Sequence, residues 1–267
     1  VNRISFGLQS CDHALLKSIG RIHNYNEFLE NFNTARKVGF NNINVDLMYG
    51  LPNLTVEKWV DTLEKICALK PEHISAYSLI IEEGTAFYKM YEKDMLNLPS
   101  EDDEREMDRL TKDILSKNGY HQYEISNYSL EDKECEHNKV YWKTKEYIGI
   151  GSSSSSYING ERISNITSIE EYIKRIKNGE LVVAERYRNS IEDEMEEFVF
   201  MGLRIIQGID IEEFNRRFGV EITSIYKKQI DKNIEKGLLI LEKQNLKLTK
   251  AGINLSNLVM SDFILDK

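Results

Sequence analysis

The chain has 267 residues, of which 41% are hydrophobic and 30% are charged, the composition of an ordinary globular protein. No apolar run approaches the roughly 20 residues that span a bilayer, so the sequence argues against a membrane-embedded protein. The net charge of −9 argues against a general nucleic-acid binder, because phosphate binding requires a basic surface or patch. This length accommodates one large domain, or a medium domain with a smaller one.

The three cysteines, Cys11, Cys67 and Cys135, are widely spaced and odd in number. Secreted domains held together by disulfides have paired cysteines, so the sequence predicts a reducing, cytoplasmic location. No CxxC pair is present, which argues against a metal site built from cysteines alone within the chain. Val1 is not a start methionine and the residues after it have a strand pattern, so we expect the chain to begin inside a fold.

Three short apolar segments alternate with helical patterns in the first 80 residues. The segments with strand character are Arg3–Gln9, Asn42–Met48 and His73–Ile80. The helical patterns between them are Asp12–Ile19, Glu27–Val38 and a segment that opens near Thr55 and stops before Pro71. Strands that alternate with helices in this way predict a parallel α/β sheet or barrel.

Residue parity distinguishes the two faces of the first two predicted strands. One face of the first strand holds Ser5, Gly7 and Gln9, and one face of the second holds Asn44, Asp46 and Met48. A sheet covered by helices on both sides is apolar on both faces, so this polar face predicts a barrel whose interior holds a ligand. A buried carboxylate without a partner is costly, so Asp46 needs a partner inside, either structural or a cofactor.

The rest of the chain carries further helical and strand patterns. Glu101–Lys117 has a helical apolar stripe, and Gly119–Tyr128 predicts a turn and one strand. The five-serine run Ser152–Ser156 predicts a flexible or tightly turning loop. The tail predicts three helices, a hairpin and a further helix, which is a winged-helix-like order. The first three helices cover Asp193–Ile206, Ile211–Phe218 and Ile222–Lys236, and the hairpin covers residues 237–241 and Leu246–Thr249. Because the chain is acidic, a small packing domain is favoured over DNA binding for this tail.

Four segments resemble strands four to six of the HemW/HemN branch of the radical S-adenosylmethionine proteins: VNRISFGLQS, GRIHN, NVDLMYGLP and HISAYSLIIEEGT. HQYEISNY, CEHNKVYW and LTKAGINLSNLVMSDF resemble the same branch, so the resemblance covers essentially the whole chain. It implies the second half of a (β/α)6 partial TIM barrel over residues 1–180 and a small helical, winged-helix-like C-terminal domain over residues 181–267. In this family the barrel holds a [4Fe–4S] cluster and S-adenosylmethionine at the carboxyl ends of its strands.

The resemblance also implies that the family's cluster-binding loop, CxxxCxxC, would precede Val1. This chain is then expected to bind no cluster, since Fe–S ligation needs thiolates held close together and its three cysteines lack that spacing. We therefore assign no catalytic residue and expect no oxidoreductase activity from this chain.

Four positions match family contacts to S-adenosylmethionine: Gln9, Arg21, Asp46 and Ile80. An amide and a carboxylate can bind ribose hydroxyls, and a guanidinium can bind a carboxylate through two hydrogen bonds. The contact implied for Ile80 is through its backbone or by packing. Without the resemblance, a surface ion pair for Arg21 and a structural hydrogen bond for Gln9 would be the simpler explanations. Two positions depart from the family: Leu54 stands where a glutamine is usual, and Ser155 where a histidine is usual.

The segment EHNKVYW contains the pattern HNxxYW, which separates the heme chaperones of this branch from its coproporphyrinogen oxidases. The resemblance implies that heme contacts His137, Asn138, Tyr141 and Trp142. An imidazole ligates iron and aromatic rings pack on a porphyrin, and the thiolate of Cys135 is a weaker candidate for the iron. Considered without the family, Tyr141 and Trp142 are core anchors and His137 is a hydrogen-bonded loop residue.

Three functions remain open at this point. The first is a heme-binding chaperone that delivers heme to an acceptor protein. The second is an enzyme for oxygen-independent oxidative decarboxylation of coproporphyrinogen III, which requires the cluster and S-adenosylmethionine. The third is a structural module without a cofactor, to which the serine run gives some weight. The HNxxYW pattern favours the first, and the edge strand Val1–Gln9 predicts that the chain self-associates.

Overall fold

The computed structural model describes residues 1–265, which form two compact units. The first is Val1–Glu134 and the second begins at Cys135. The domain boundary expected between residues 180 and 181 stays a prediction, because a unit defined by contacts need not coincide with a family domain. Within the described residues, every helix is too short or too polar to cross a lipid bilayer.

The first unit is a five-stranded sheet with helices packed against it. In chain order its elements are β1 (Ile4–Gln9), α1 (His13–Ser18), α2 (Tyr25–Lys37), β2 (Ile43–Tyr49), α3 (Val56–Leu69), β3 (His73–Ser78), α4 (Ala86–Tyr91), α5 (Glu101–Lys117), β4 (His121–Glu124) and β5 (Asn127–Ser129). The strand order is β1-β2-β3-β5-β4. As predicted, β1, β2 and β3 pair in parallel, whereas β5 pairs antiparallel with both β3 and β4.

The hairpin of β4 and β5 differs from the single strand expected over Gly119–Tyr128. A tight turn separates the two strands, because Glu124 Oε1 accepts hydrogen bonds from Ser126 N (2.8 Å) and Asn127 Nδ2 (2.5 Å). The carboxylate thus satisfies the backbone where the chain reverses. The hairpin extends the sheet beyond β3 and places Tyr123 beside His73.

Side-chain caps define where the helices of this unit begin. In α2, Asn24 accepts hydrogen bonds from the backbone of the first turn while Glu27 reaches back to the Asn24 N–H, which is a capping box. Thr55 caps α3, and Lys70, with a φ of 51°, ends it in the left-handed conformation. These local signals explain why both helices follow the sequence prediction closely.

One face of the sheet is apolar and carries the core of the unit. Trp59 of α3 is fully buried in this core, and its Nε1 donates hydrogen bonds to Thr111 Oγ1 (2.9 Å) and Met107 O (3.2 Å) of α5. The indole therefore joins α3 to α5 through both its apolar surface and its only donor. Leu54, which stands where the family has a glutamine, is also buried in this core.

The second unit contains two small antiparallel sheets and short helices. Its elements are α6 (Glu136–Trp142), β6 (Ser155–Ile158), β7 (Glu161–Asn165), α7 (Ile169–Asn178), β8 (Val183–Arg188), α8 (Ile191–Gly202), β9 (Ile209–Asp210), α9 (Ile211–Phe218), α10 (Ile222–Glu235), β10 (Leu239–Glu242), β11 (Asn245–Leu248), α11 (Lys250–Asn254) and α12 (Ser256–Ser261). The sheet orders are β6-β7-β8 and β10-β11-β9. The three helices and the hairpin expected in the tail are present, and β9 adds a third strand to the hairpin.

The serine run is only partly a loop. Ser155 and Ser156 belong to β6, where they pair with Ser164 and Ile163 of β7. The loop expected over Ser152–Ser156 is therefore wrong for these two residues. Their strand conformation depends on backbone pairing with β7, which a local serine pattern does not reveal.

The other face of the five-stranded sheet, named here the polar face, carries two rows of small or polar residues. The rows run across β1, β2, β3 and β5 in register: Ser5, Asn44, His73 and Ser129 in the first, and Gly7, Asp46, Ser75 and Asn127 in the second. In these two rows the β1 residues, Ser5 and Gly7, are exposed, whereas the residues of β3 and β5 are buried. The two-faced pattern expected from residue parity is thus present and continues onto a fourth strand.

His73 lies at the buried end of the polar face. Its side chain contacts Asn44 Oδ1 through Nδ1 (2.6 Å) and the Tyr123 hydroxyl through Nε2 (2.8 Å). Burial, assisted by the positive charge of Arg3, lowers the pKa of His73 to about 3. The imidazole is therefore neutral at physiological pH and is held at both nitrogens.

We expect His73 to make the free energy of unfolding fall by about 1.4 kcal/mol per pH unit as the pH is lowered from 6.5 toward 4. The unfolded chain takes up a proton near pH 6.5, whereas folded His73 resists protonation down to about pH 3, so acid favours unfolding. Urea unfolding of the protein and of His73→Leu at several pH values measures this contribution. The variant should have the shallower slope, and equal slopes in the two proteins would contradict the prediction.

Candidate functional site

The carboxyl ends of parallel strands meet at one edge of the sheet, and Gln9 lies at that end of β1. The residue is 7% exposed, and its backbone is left-handed, with a φ of 70°. Its Oε1 is buried and has no hydrogen-bond partner among residues 1–265. A buried acceptor without a partner costs about 1–3 kcal/mol, so this atom fits a ligand that brings a hydroxyl or amine donor.

Gly7 provides the space in which the Gln9 side chain lies. A Cβ atom at residue 7 would come within 3.1 Å of Gln9 Nε2, which is tighter than ordinary contact. The same residue pairs with Asp46 across β1 and β2. The absence of a side chain at residue 7 therefore leaves room between an amide and a carboxylate.

Asp46 is half-buried and is held from one side only. Its Oδ1 accepts a hydrogen bond from Asn44 Nδ2 (2.7 Å), and Oδ2 has no hydrogen-bond partner in the described part of the chain. The sequence analysis predicted that Asp46 needs a partner. That partner is a structural one, the Asn44 side chain on the same strand. The second oxygen stays available to a ligand.

Arg21 and Ile80 lie in exposed segments that follow α1 and β3. The Arg21 side chain forms no hydrogen bond or ion pair within residues 1–265, and its backbone N–H donates to Leu16 O at 2.9 Å. Ile80 is 75% exposed, so it is not a core residue of this unit. Neither side chain contributes to the packing of the unit.

A second polar cluster at the same face was not anticipated from the sequence. It comprises Glu124, Asn127, Ser75 and Tyr77, and burial raises the pKa of the Tyr77 hydroxyl. Asn127 Oδ1 is buried and, within the described residues, has no hydrogen-bond partner, like Gln9 Oε1. The sequence signal for this cluster was the polar segment HQYEISNY. The segment could not be assigned to the site from the sequence, because only the β4–β5 hairpin places it next to β3.

The residues matched to heme lie on α6 of the second unit. His137 is exposed, and its Nε2 is 3.0 Å from the Tyr141 hydroxyl, one helical turn away. The two rings meet edge to face at 5.0 Å, and Tyr141 meets Tyr147 in the same way at 4.7 Å. Cys135 is half-buried at the N-cap of the helix. The structure therefore brings an imidazole and two phenol rings together, and Cys135 precedes them at the N-cap of the same helix.

Trp142 is held differently from the other residues of α6. The Arg204 guanidinium lies 4.4 Å from the centre of its ring, so one face of the indole is covered. Its Nε1 is buried without a hydrogen-bond partner in the described part of the chain. Trp142 thus has the geometry of a packing residue, and Asn138 is half-buried beside it on the helix.

The cysteines of this chain do not fit an iron–sulfur cluster. Burial raises the pKa of the Cys11 thiol to about 12 and that of Cys67 to about 11, so both are protonated at neutral pH. Among residues 1–265, no group of three or more histidine, cysteine or acidic side chains is placed to hold a metal ion.

Comparison with known proteins gives family matches at both ends of the chain. Residues 1–66 match the Radical SAM superfamily and residues 189–255 match the HemN C-terminal domain. The solved structure of coproporphyrinogen III oxidase (HemN) from Escherichia coli superposes with a TM-score of 0.79 at 19% identity, covering 98% of this chain and 64% of that one. This likeness confirms the predicted fold, a partial barrel with a helical C-terminal domain.

Curated relatives identify the branch. The chain is 38% identical to the heme chaperone HemW of Lactococcus lactis over 266 residues, which cover 100% of this chain and 70% of that protein. It is 34% identical to the heme chaperone HemW of Bacillus subtilis, covering 99% and 70%. The chain belongs to the HemW family of radical SAM proteins.

Proposed function

We propose that the chain binds S-adenosylmethionine at the carboxyl ends of β1 and β2, binds heme at α6, and delivers heme to an acceptor protein. The observation that carries the first part is the buried, unpartnered Gln9 Oε1 at the end of β1, together with the available Asp46 Oδ2 on the paired strand β2. Heme binding and transfer are proposed because the relatives with 38% and 34% identity are heme chaperones.

Each residue in the S-adenosylmethionine site has one task. Asp46 Oδ2 and Gln9 Oε1 accept hydrogen bonds from ligand hydroxyl or amine groups, and the exposed Arg21 pairs with the ligand carboxylate. Ile80 provides an apolar contact for the adenosyl group. S-adenosylmethionine, when bound, would supply a sulfonium centre beside these residues. This chain's own residues bind and orient the ligand.

Replacing Asp46 tests the S-adenosylmethionine site. We expect Asp46→Ala to weaken binding of S-adenosylhomocysteine, a stable probe, by about tenfold or more, since a charge-assisted hydrogen bond is lost. NMR-monitored titration measures even weak affinities. Asp61→Asn is the matched control, because Asp61 is an exposed carboxylate of α3 paired with Lys65. Equal affinities of Asp46→Ala and the control would rule out this site.

Heme is proposed to bind through the His137 imidazole with Tyr141 beside it. His137 Nε2 contacts the Tyr141 hydroxyl, so iron coordination by Nε2 would replace that hydrogen bond. The Cys135 thiolate, two residues earlier, is the second candidate ligand. Asn138 and Trp142 would support the helix around the site, with Trp142 held by Arg204.

Three variants test the heme proposal. After addition of heme, we expect His137→Ala to lose or shift the Soret band, whereas Tyr141→Phe keeps it, because Nε2 is then released from its hydrogen bond. His13→Ala is the control, since His13 is an exposed histidine of α1. An unchanged Soret band in His137→Ala, together with its loss in Cys135→Ser, would show that the iron ligand is Cys135 and not His137.

Oxidative decarboxylation of coproporphyrinogen III is not favoured as the function. The likeness to the E. coli oxidase is at 19% identity and concerns the fold, whereas relatives at 31–38% identity are heme chaperones. Turnover of coproporphyrinogen III by a cluster-loaded protein containing this chain would reverse this assignment.

The exposed edge of β1 is proposed to pair with a second copy of the chain. Among the described residues, β1 has one neighbouring strand, β2, and Ser5 and Gly7 are exposed on the polar face. We expect a dimer in size-exclusion chromatography with light scattering, and a shift toward monomer in Ser5→Lys, because a charge at an edge opposes strand pairing. Ser116→Lys on the exposed side of α5 is the control. A monodisperse wild-type monomer would contradict this expectation.

A further inference from the structure

Four side chains form a continuous hydrogen-bonded series across the polar face, from β4 to β2. The Tyr123 hydroxyl is 2.8 Å from His73 Nε2, His73 Nδ1 is 2.6 Å from Asn44 Oδ1, and Asn44 Nδ2 is 2.7 Å from Asp46 Oδ1. Tyr123, His73 and Asn44 are at most 5% exposed, whereas Asp46 is half-buried. The series therefore leads from the interior to the ligand-facing carboxylate.

The direction of each hydrogen bond follows from the chemistry of its end group. An ionised carboxylate only accepts hydrogen bonds, so the amide nitrogen of Asn44 faces Asp46 and its oxygen faces His73. The imidazole then carries its proton on Nδ1, and Nε2 accepts from the Tyr123 hydroxyl. Ser75 Oγ adds a second donor to Asn44 Oδ1 at 3.2 Å. Each member thus has one orientation that satisfies its neighbours.

We propose that Asn44, His73 and Tyr123 are positioning residues: Asn44 contacts Asp46 Oδ1, His73 and Tyr123 act through Asn44, and Oδ2 is thereby presented to a ribose hydroxyl of a nucleoside ligand. This inference rests on the proposed binding of S-adenosylmethionine at Asp46. A carboxylate held by a single contact rotates about its last bond, so its orientation depends on whether Asn44 is itself fixed. His73 fixes it, because a neutral imidazole donates to the amide oxygen and the buried site keeps competing water away.

Substitution of His73 separates positioning from bulk packing. We expect His73→Leu to weaken S-adenosylhomocysteine binding by about tenfold, since the donor to Asn44 is lost. His73→Asn, whose amide nitrogen replaces Nδ1, should restore most of the affinity. Ser129→Ala is the control, because Ser129 is fully buried in the same row of the polar face and lies outside the series. Titration by NMR reports all four affinities.

The preference between ligands is a second readout. A variant that is merely less stable would keep this preference. The wild-type protein should prefer S-adenosylhomocysteine over its 2′-deoxy or 3′-deoxy analogue, and His73→Leu should lose this preference while His73→Asn keeps it. If His73→Leu folds poorly, Tyr123→Phe provides the milder test, with a smaller loss in the same direction. The nitrogen chemical shifts of His73 should show a neutral ring protonated at Nδ1.

The outcomes distinguish the positioning series from the binding site itself. If Asp46→Ala weakens binding and His73→Leu keeps wild-type affinity and preference, the series has no positioning role and the proposed site stands. If Asp46→Ala leaves the affinity unchanged, both proposals are overturned. A His73 ring that is protonated at Nε2 alone would also overturn the series, because Nδ1 would then have no proton to donate to Asn44.

Discussion

Backbone hydrogen bonds between β1 and β2 pair Gly7 with Asp46, and those between β2 and β3 pair Asp46 with Ser75. Because side chains alternate along a strand, a slip of one residue in either pairing would turn a polar side chain into the apolar core. The apolar residues of the opposite face, such as Val45 and Ile74, are fully buried, so such a slip is opposed by the hydrophobic effect. The register thus depends on the core, and the candidate site depends on the register.

A polar face inside a protein is stable only when its groups are satisfied. The series through Asn44 and His73 meets this requirement with neutral groups, which avoids the cost of a buried charge. Two amide oxygens, Gln9 Oε1 and Asn127 Oδ1, are the exceptions within the described residues of this sheet. Unsatisfied acceptors at a strand end are consistent with a protein that completes its hydrogen bonding when a ligand binds.

The second unit presents its candidate ligands on a short helix. In α6, His137 and Tyr141 are one turn apart and engage each other, while Trp142 is covered by Arg204. The residues of the HNxxYW pattern therefore differ in their surroundings: His137 is exposed, whereas Trp142 is packed against Arg204. In the proposed heme site, a single exposed imidazole with a competing hydroxyl would hold the ligand through few contacts, and such a ligand dissociates readily.

Local patterns in the sequence determined much of this protein. Alternation of strand and helix patterns predicted the parallel strands, residue parity predicted the polar face, and Thr55 marked the start of α3, because these signals are local in the sequence. Family resemblance added Gln9, Asp46 and the α6 residues. Only the tertiary structure decided that His73 holds Asn44 and that Tyr123 reaches His73 from 50 residues away. Such contacts, like the pairing of Ser155 with β7, form only when distant parts of the chain come together in a defined strand register. A local sequence pattern does not reveal this.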